Sequence, residues 1–268
     1  MNKLFFLLIA IPFAQSCSTN AVTGRKQLKL FPESTLQQEA VTQYQSFLSQ
    51  NKVVSQNNSR DAEMVRRVGS RIANAITTYY SKRTNPVDFS GYKWEFNLVE
   101  NKEVNAWCMP GGKVVVYSGL LPVTQNEAAL AVVLAHEITH AIAQHGNERM
   151  SQVSVAQGLQ VVGNIFTQNN AKANSIFNNV YGPGASVGVI LPNSRKQELE
   201  ADRFGLIFTA MAGYNPREAV PFWERMAAAG GGNKPPTLLS SHPTDETRIA
   251  QIKKYLPEAL TYYKPIKK

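Results

Sequence analysis

Apolar residues recur every three to four positions along much of this chain, which predicts a protein built mainly from amphipathic helices. The clearest stripe lies between residues 59 and 80 and consists of Met64, Val65, Val68, Ile72 and Ile76. Further helices are predicted over residues 33–50, 194–213, 215–230 and 245–256, the last one ended by Pro257. Shorter alternating segments predict strands over residues 92–99, 104–108 and 113–117. We therefore expect an α+β fold, mainly α, with helices around a small and mostly antiparallel sheet.

One segment of the chain is apolar on every side. Residues 128–135 contain only Ala, Leu and Val, so the helix that they predict should be buried all round. Thr124 and Glu127 have the spacing of a capping box at its start, and Gly146 is expected to end it. Any polar side chain in such a buried helix needs a partner.

Two histidines and a glutamate follow this apolar run, namely His136, Glu137 and His140. Residues four apart lie on one face of a helix, so His136 and His140 can bind one metal ion while Glu137 reaches a water on it. Two histidine ligands with a neighbouring general base at this spacing are typical of zinc peptidases. The alternative is a core helix whose histidines only form hydrogen bonds.

A catalytic zinc usually takes three protein ligands, so a third must come from elsewhere. Gly146 stands where a third histidine would follow. His145 would be turned about 140° away on a straight helix, which predicts a surface position or one behind the site. Glu198 and Asp202 share one helix face. We expect Glu198 to be the third ligand and Asp202 to accept the free ring N–H of a bound histidine. A solvated acidic face is the alternative.

The motifs around His136 and Glu198 resemble those of the gluzincin peptidase family that includes HtpX, BepA, LoiP and the CAAX prenyl endopeptidases. Weaker segments of the same family are matched at residues 22–27, 105–112 and 241–243. The resemblance implies a zincin-type metallopeptidase domain with one Zn²⁺ per chain. His136, His140 and Glu198 would be its ligands, and Glu137 would be the catalytic base.

The resemblance also implies roles for two further segments. An edge strand with Asn105, Ala106, Pro110, Gly111 and Gly112 would pair with an extended substrate by β-strand addition. The matching histidine of lipoprotein relatives occupies the fourth zinc position and blocks it, so His242 would be such an inhibitory switch. The alternative is a histidine that only anchors its loop.

The first residues have the pattern of an export signal. Lys3 precedes an apolar run from Leu4 to Ala14, and the small residue Ser16 precedes Cys17. This run is too short to span a membrane. Ser16-Cys17 resembles a bacterial lipoprotein cleavage site, which implies cleavage before Cys17 and a lipid anchor on it. Ser18 then favours the outer membrane, facing the periplasm. An ordinary signal followed by an unmodified cysteine is the alternative.

The predicted organisation is a signal peptide over residues 1–16, a lipidated Cys17 and linker over 17–32, a metallopeptidase domain over 33–262 and a basic tail over 263–268. Residues 151–190 are expected to form a helical insertion that covers the site as a lid. The net charge of +9 comes from scattered basic residues without a basic–aromatic stripe, so we expect no nucleic-acid partner. Cys108 would remain a buried, inert thiol.

These expectations combine into one function and one alternative. We expect a membrane-anchored zinc endopeptidase that cleaves unfolded or misassembled envelope proteins, with the envelope assembly machinery as a candidate partner. The alternative is a periplasmic chaperone-like assembly factor in which proteolysis is secondary or absent.

Overall fold

A computed structural model of the chain describes residues 17–156, 171–182, 194–230, 236–242 and 246–266. The predicted signal peptide, much of the predicted lid and the last two residues of the predicted tail lie outside these ranges. The strands are β1 (Cys17–Thr19), β2 (Lys26–Leu28), β3 (Glu95–Val99), β4 (Ala106–Met109) and β5 (Lys113–Tyr117). The helices are α1 (Glu33–Gln50), α2 (Arg60–Ser81), α3 (Leu121–Thr124), α4 (Glu127–Ile142), α5 (His145–Ala156), α6 (Ala171–Tyr181), α7 (Ser194–Met211), α8 (Ala219–Gly230), α9 (Thr237–Ser241) and α10 (Glu246–Leu260). The predicted fold class, helices around a small sheet, is confirmed.

Strand pairing is mainly antiparallel. β1 pairs with β2 and β4 pairs with β5 in this way, whereas β3 and β5 are parallel. The three-stranded sheet has the order β3–β5–β4, so β4 is an outer strand. Gly111 and Gly112 have φ angles of 77° and 84° in the turn that joins β4 to β5. A Cβ on Gly112 would also lie 2.6 Å from the Trp94 ring, so this turn requires glycine.

Helix α4 is buried on every face, as its composition predicts, but it begins and ends differently from the prediction. Thr124 belongs to the short helix α3, and Gln125 then adopts a left-handed conformation with φ of 65°. The cap of α4 is therefore Asn126, whose Oδ1 accepts a hydrogen bond from Ala129 N at 2.8 Å. The predicted capping box at Thr124 is wrong because α3 already uses that residue.

The end of α4 determines where His145 lies. The helix stops at Ile142, four residues before Gly146, and Gln144 has a left-handed φ of 55°. Helix α5 starts directly afterwards at His145. The predicted end at Gly146 is wrong. That glycine instead packs inside α5, where a Cβ would lie 2.1 Å from the Tyr181 ring.

The segment before α1, expected to be a linker, packs against the end of α4 as a β1–β2 hairpin. Asn20 Nδ2 donates to Ile142 O at 3.2 Å, and Gln27 Nε2 donates to Ala143 O at 2.7 Å. The last carbonyl groups of a helix have no partner within the helix. The hairpin therefore supplies the missing donors at the end of the helix that carries the histidine motif.

Helix α7 packs closely across α4 because Gly205 has no side chain. A Cβ on Gly205 would lie 3.1 Å from the backbone nitrogen of His136. The final helix α10 runs through Pro257, which lies inside it, so the predicted stop at that residue is wrong. None of the helices in the described ranges is long and apolar enough to span a membrane.

Candidate metal centre

The predicted metal ligands meet in one buried cluster, together with a fourth side chain. His136 and His140 of α4, Glu198 of α7 and His242 after α9 each offer one ligand atom, and these atoms all lie within 4.8 Å of one another. All four residues are buried. Within the described part of the chain, this is the one group of three or more such side chains that can hold a metal ion.

The distances between the donor atoms fit a tetrahedral zinc site. Two ligands bound to one zinc ion at the usual bond lengths are ~3.3 Å apart. His136 Nε2 lies 3.1 Å from His140 Nε2 and 3.3 Å from Glu198 Oε2. His140 Nε2 lies 3.3 Å from Glu198 Oε1. His242 Nδ1 lies 3.2 Å from His136 Nε2 and 2.8 Å from Glu198 Oε2. Ring nitrogens that converge so closely in a buried place need a proton or a cation between them, so this donor set fits zinc.

His136 is supported from behind by Asp202 of α7. Asp202 Oδ1 lies 3.0 Å from His136 Nδ1. Arg248 of α10 forms a forked pair with this carboxylate, and both N···O distances are 2.8 Å. Its guanidinium carbon lies 3.9 Å from the centroid of the Trp223 ring, and its Nη1 donates to His242 O at 3.0 Å. Burial acts to raise the pKa of Asp202, but Arg248 and His136 together outweigh it and lower that pKa.

His140 is supported from behind by another histidine. His140 Nδ1 lies 2.8 Å from Nδ1 of the fully buried His145. His145 Nε2 lies 2.9 Å from Glu200 Oε2, and Arg25 Nε donates to the same oxygen at 2.7 Å. Both terminal nitrogens of Arg25 donate to Glu148, again at 2.7 Å. The expected surface position of His145 is therefore wrong, and the alternative position behind the site is correct, because the left-handed residue before it turns α5 back towards α4.

The cluster stabilises positive charge. Burial acts to lower the pKa of His136, but Asp202 and Glu198 outweigh it and raise that pKa to about 9. Burial lowers the pKa of His140 well below its ordinary value, although Glu198 acts in the opposite direction. Burial acts to raise the pKa of Glu198, but His242 and His140 outweigh it and hold that pKa well below its ordinary value. Positive charge is thus favoured between His136 and Glu198, where a bound cation would lie.

Glu137 faces a cleft of about 230 Å³ that lies beside the donor cluster. The carboxyl group is buried, and its Oε1 lies 3.3 Å from His242 Nε2. Cys108 lines the same cleft, and burial raises the pKa of its thiol well above the ordinary value. A thiol in that state stays protonated and is a poor nucleophile.

The residues predicted for the substrate strand separate into two groups. Asn105 and Ala106 line the cleft at the start of β4. Pro110, Gly111 and Gly112 form the turn at the other end of that strand, and they do not contribute to the cleft walls formed by the described residues. The structure therefore brings only the first pair close to the candidate ligands.

The two arginines that support the site are not indicated by any local sequence pattern. Arg248 lies 46 positions from Asp202 along the chain, and no local spacing connects them. Arg25 lies 175 positions from Glu200, and only the family resemblance of residues 22–27 could have pointed to it. His145 lies five residues after His140, but its position depends on a left-handed Gln144 that nothing in the sequence indicates.

Comparisons with known proteins agree with this geometry. The model of peptidase family M48 matches residues 59–256, which is more than half of the chain. The chain belongs to peptidase family M48. All four candidate metal ligands lie within the matched residues, whereas Arg25 precedes them.

Curated relatives of this M48 chain include mitochondrial and bacterial proteases. It is 36% identical to the mitochondrial metalloendopeptidase OMA1 of Schizosaccharomyces pombe over 171 residues, 63% of this chain and 49% of the relative. The OMA1 of Saccharomyces cerevisiae is 36% identical over 180 residues, 65% of this chain and 50% of the relative. The beta-barrel assembly-enhancing protease of Escherichia coli is 30% identical over 164 residues, 60% of this chain and 34% of the relative. The chain thus spans about half the length, or less, of these relatives.

Proposed function

We propose that this protein is a zinc-dependent endopeptidase that acts on unfolded or misassembled proteins of the bacterial envelope. The observation that carries the proposal is the convergence of His136, His140 and Glu198 at donor distances that fit tetrahedral zinc. The buried Glu137 lies beside them and lines a cleft. Membership of a peptidase family supports the same reaction class.

The protein's own residues have distinct parts in the proposed hydrolysis. A zinc ion held by His136, His140 and Glu198 would supply Lewis acidity and lower the pKa of a bound water. Glu137 Oε1 is placed to accept the proton of the attacking water and to deliver it to the leaving nitrogen. Asp202 fixes the ring of His136, so that its Nε2 points at the other donors.

The outer strand β4 gives the cleft a place for an extended substrate. β4 pairs with β5 on one side, and its first residue Ala106 lines the cleft together with Asn105. A peptide that adds to the side of β4 that no described strand occupies would form main-chain hydrogen bonds, which read conformation more than side-chain identity. This mode of binding favours broad specificity for unfolded chains.

His242 holds the site in a closed state in this proposal. Its Nδ1 is within 3.2 Å of one candidate ligand and 2.8 Å of another, so it takes the position that a catalytic water needs. Leu238 N of the same segment donates to Val104 O, directly before β4. Opening would therefore require release of α9 from the end of the substrate strand and of the His242 carbonyl from Arg248.

We further propose that the protein is an exported lipoprotein, anchored through Cys17 to the outer membrane and facing the periplasm. The sequence pattern of residues 1–17 supports this location. One relative is named a beta-barrel assembly-enhancing protease, which favours the envelope assembly machinery as the setting. Replacing Cys17 with Ala should move the protein from the membrane fraction to the soluble fraction. Unchanged membrane association would contradict the lipid anchor.

The enzyme proposal is tested by metal analysis and casein hydrolysis on matched variants. Glu137→Gln should keep one zinc per chain and lower hydrolysis at least ~10²-fold, because the general base is lost. Glu198→Ala should lose the zinc. Glu127→Gln, at the far end of the same helix, is the control and should change neither quantity. Bound zinc without cleavage that depends on Glu137 would reject the enzyme and favour the chaperone-like assembly factor.

The inhibitory role of His242 has a separate test. His242→Ala should raise kcat/KM for casein while leaving one zinc per chain, because three protein ligands remain. An unchanged or lower kcat/KM would indicate a loop anchor instead.

A further inference from the structure

A chain of polar contacts connects the N-terminal hairpin to the metal ligand His140. It runs from Arg25, between β1 and β2, through Glu200 to His145 and then to His140, and each contact is between 2.7 and 2.9 Å. Arg25 has 11% of its side chain exposed and Glu200 has 10%, so water competes little for these contacts.

The order of donors along this chain fixes the tautomer of both histidines. Arg25 donates to the Glu200 carboxylate, which has no proton of its own to give. His145 must therefore donate its Nε2–H to Glu200, and as a neutral ring its Nδ1 then accepts. His140 consequently donates its Nδ1–H to His145. The remaining Nε2 of His140 carries a lone pair and faces the other candidate ligands.

Arg25 also keeps two carboxylates together behind the site. Its guanidinium contacts Glu200 and Glu148 at the same time, and Gln197 Nε2 donates to Glu148 Oε2 at 2.7 Å. Without that guanidinium the two carboxylates would repel each other, and Glu200 would turn away from His145. A displaced Glu200 no longer holds His145 in the accepting tautomer.

We propose that Arg25, Glu200 and His145 form a positioning chain for His140. The N-terminal hairpin thus helps to orient a metal ligand. The family match includes His145 and Glu200 but not Arg25, because it begins at residue 59. The inference rests on the proposed zinc site. It adds that metal affinity depends on an arginine that touches no metal ligand directly.

The first experiment measures zinc affinity by competition with a chelator, together with the visible spectrum of the Co²⁺-loaded protein. Arg25→Met should bind zinc ~10–100-fold more weakly, as is usual for loss of a group that orients a ligating histidine, and its Co²⁺ spectrum should shift. Arg25→Lys keeps one charge without the fork and should fall between. Arg67→Met is the matched control. Arg67 also pairs with two carboxylates, Glu63 and Glu127, and its removal should leave both readouts unchanged.

A double-mutant cycle distinguishes positioning through His145 from general damage. Once His145→Phe has broken the chain, adding Arg25→Met should cost little further zinc affinity, because coupled residues are not additive. Loss by the same factor in both backgrounds would overturn the proposal, and so would unchanged affinity in Arg25→Met. If Arg25→Met does not fold, Glu200→Gln replaces it. This variant should also weaken zinc binding alone but add little in the His145→Phe background, and unchanged affinity or an equal loss in both backgrounds would overturn the proposal. Wild-type protein that binds no zinc would instead reject the proposed function itself.

Discussion

Each ligating histidine is supported by a carboxylate that an arginine holds in place, but only one of the two carboxylates contacts its histidine directly. His136 meets the carboxylate of Asp202 directly, and Arg248 fixes that carboxylate from the C-terminal helix. His140 reaches a carboxylate only through His145, and Arg25 fixes it from the N-terminal hairpin.

The difference follows from where each histidine lies on α4. His136 lies where Gly205 lets α7 approach closely, so a side chain of α7 is within direct reach. His140 lies one turn further on, next to the end of the helix at Ile142, and a residue of the next helix has to bridge the gap. Both histidines are thus supported by a carboxylate and an arginine, directly at His136 and through a bridging histidine at His140.

Among the substitutions that test this difference, Arg248→Met should change the free energy of unfolding most. Arg248 has 5% of its side chain exposed and Asp202 has 2%, so the substitution removes the forked partner of a buried carboxylate. We expect a loss of about 3–5 kcal/mol in the free energy of unfolding, measured by urea denaturation. The double variant Arg248→Met/Asp202→Asn should recover part of it, because the buried negative charge is then removed as well. A double variant that is less stable than Arg248→Met would contradict this explanation.

Asp202→Asn tests the direct support itself. The amide keeps the volume but presents a weaker acceptor to His136 Nδ1. We expect zinc affinity to fall ~10–100-fold, measured by chelator competition. If the direct and the bridged supports are equivalent, the loss should match that of Glu200→Gln within a few-fold. A loss confined to Asp202→Asn would show that the bridged support is dispensable.

Gln27→Leu separates packing of the hairpin from its effect on His140. The variant leaves the buried Ala143 carbonyl without the donor that it has at 2.7 Å, but it retains Arg25. We expect thermal unfolding of the metal-free protein to report a loss of ~1–2 kcal/mol, with zinc affinity unchanged. Zinc affinity that falls in step with stability would mean that hairpin packing as a whole, and not Arg25, supports the site.

The smallest change in stability is expected for Glu33, a carboxyl group that no arginine supports among the described residues. Glu33 Oε2 is buried and has no hydrogen-bond partner among the described residues, and burial raises the Glu33 pKa from 4.5 to about 7. The folded-state pKa is raised, so its contribution to stability is complete below pH 4.5 and is lost as pH rises through about 7. Glu33→Gln should therefore stabilise the protein by ~1 kcal/mol at pH 8 and hardly at all at pH 4.5, measured by urea denaturation. A gain that is equal at both pH values would exclude ionisation as the cause.

The sequence predicts the centre of the site far better than its surroundings. His136 and His140 share one face of a helix with Glu137 next to them, and Glu198 and Asp202 share one face of another, so local spacing predicts both arrangements. The buried character of α4 also follows directly from its composition. These predictions depend on contacts within a helix, which sequence patterns report well.

The surroundings depend on contacts between distant segments and on one unusual backbone conformation. Gln144 is left-handed although it is not glycine, and this moves His145 from the expected far side of the helix to a place behind His140. Arg25 and Arg248 reach the site only after the two ends of the chain have packed against α4 and α7. No local pattern carries that information.

Gly205 has a consequence for the kind of ion that the protein can hold. Its missing methyl group sets the separation of α4 and α7, because a Cβ there would force its neighbours apart by a few tenths of an ångström. A change of that size is of the order of the difference between bond lengths to zinc and to calcium. The absence of a side chain at Gly205 thus helps to keep the donors of α4 and α7 at separations that suit the smaller ion.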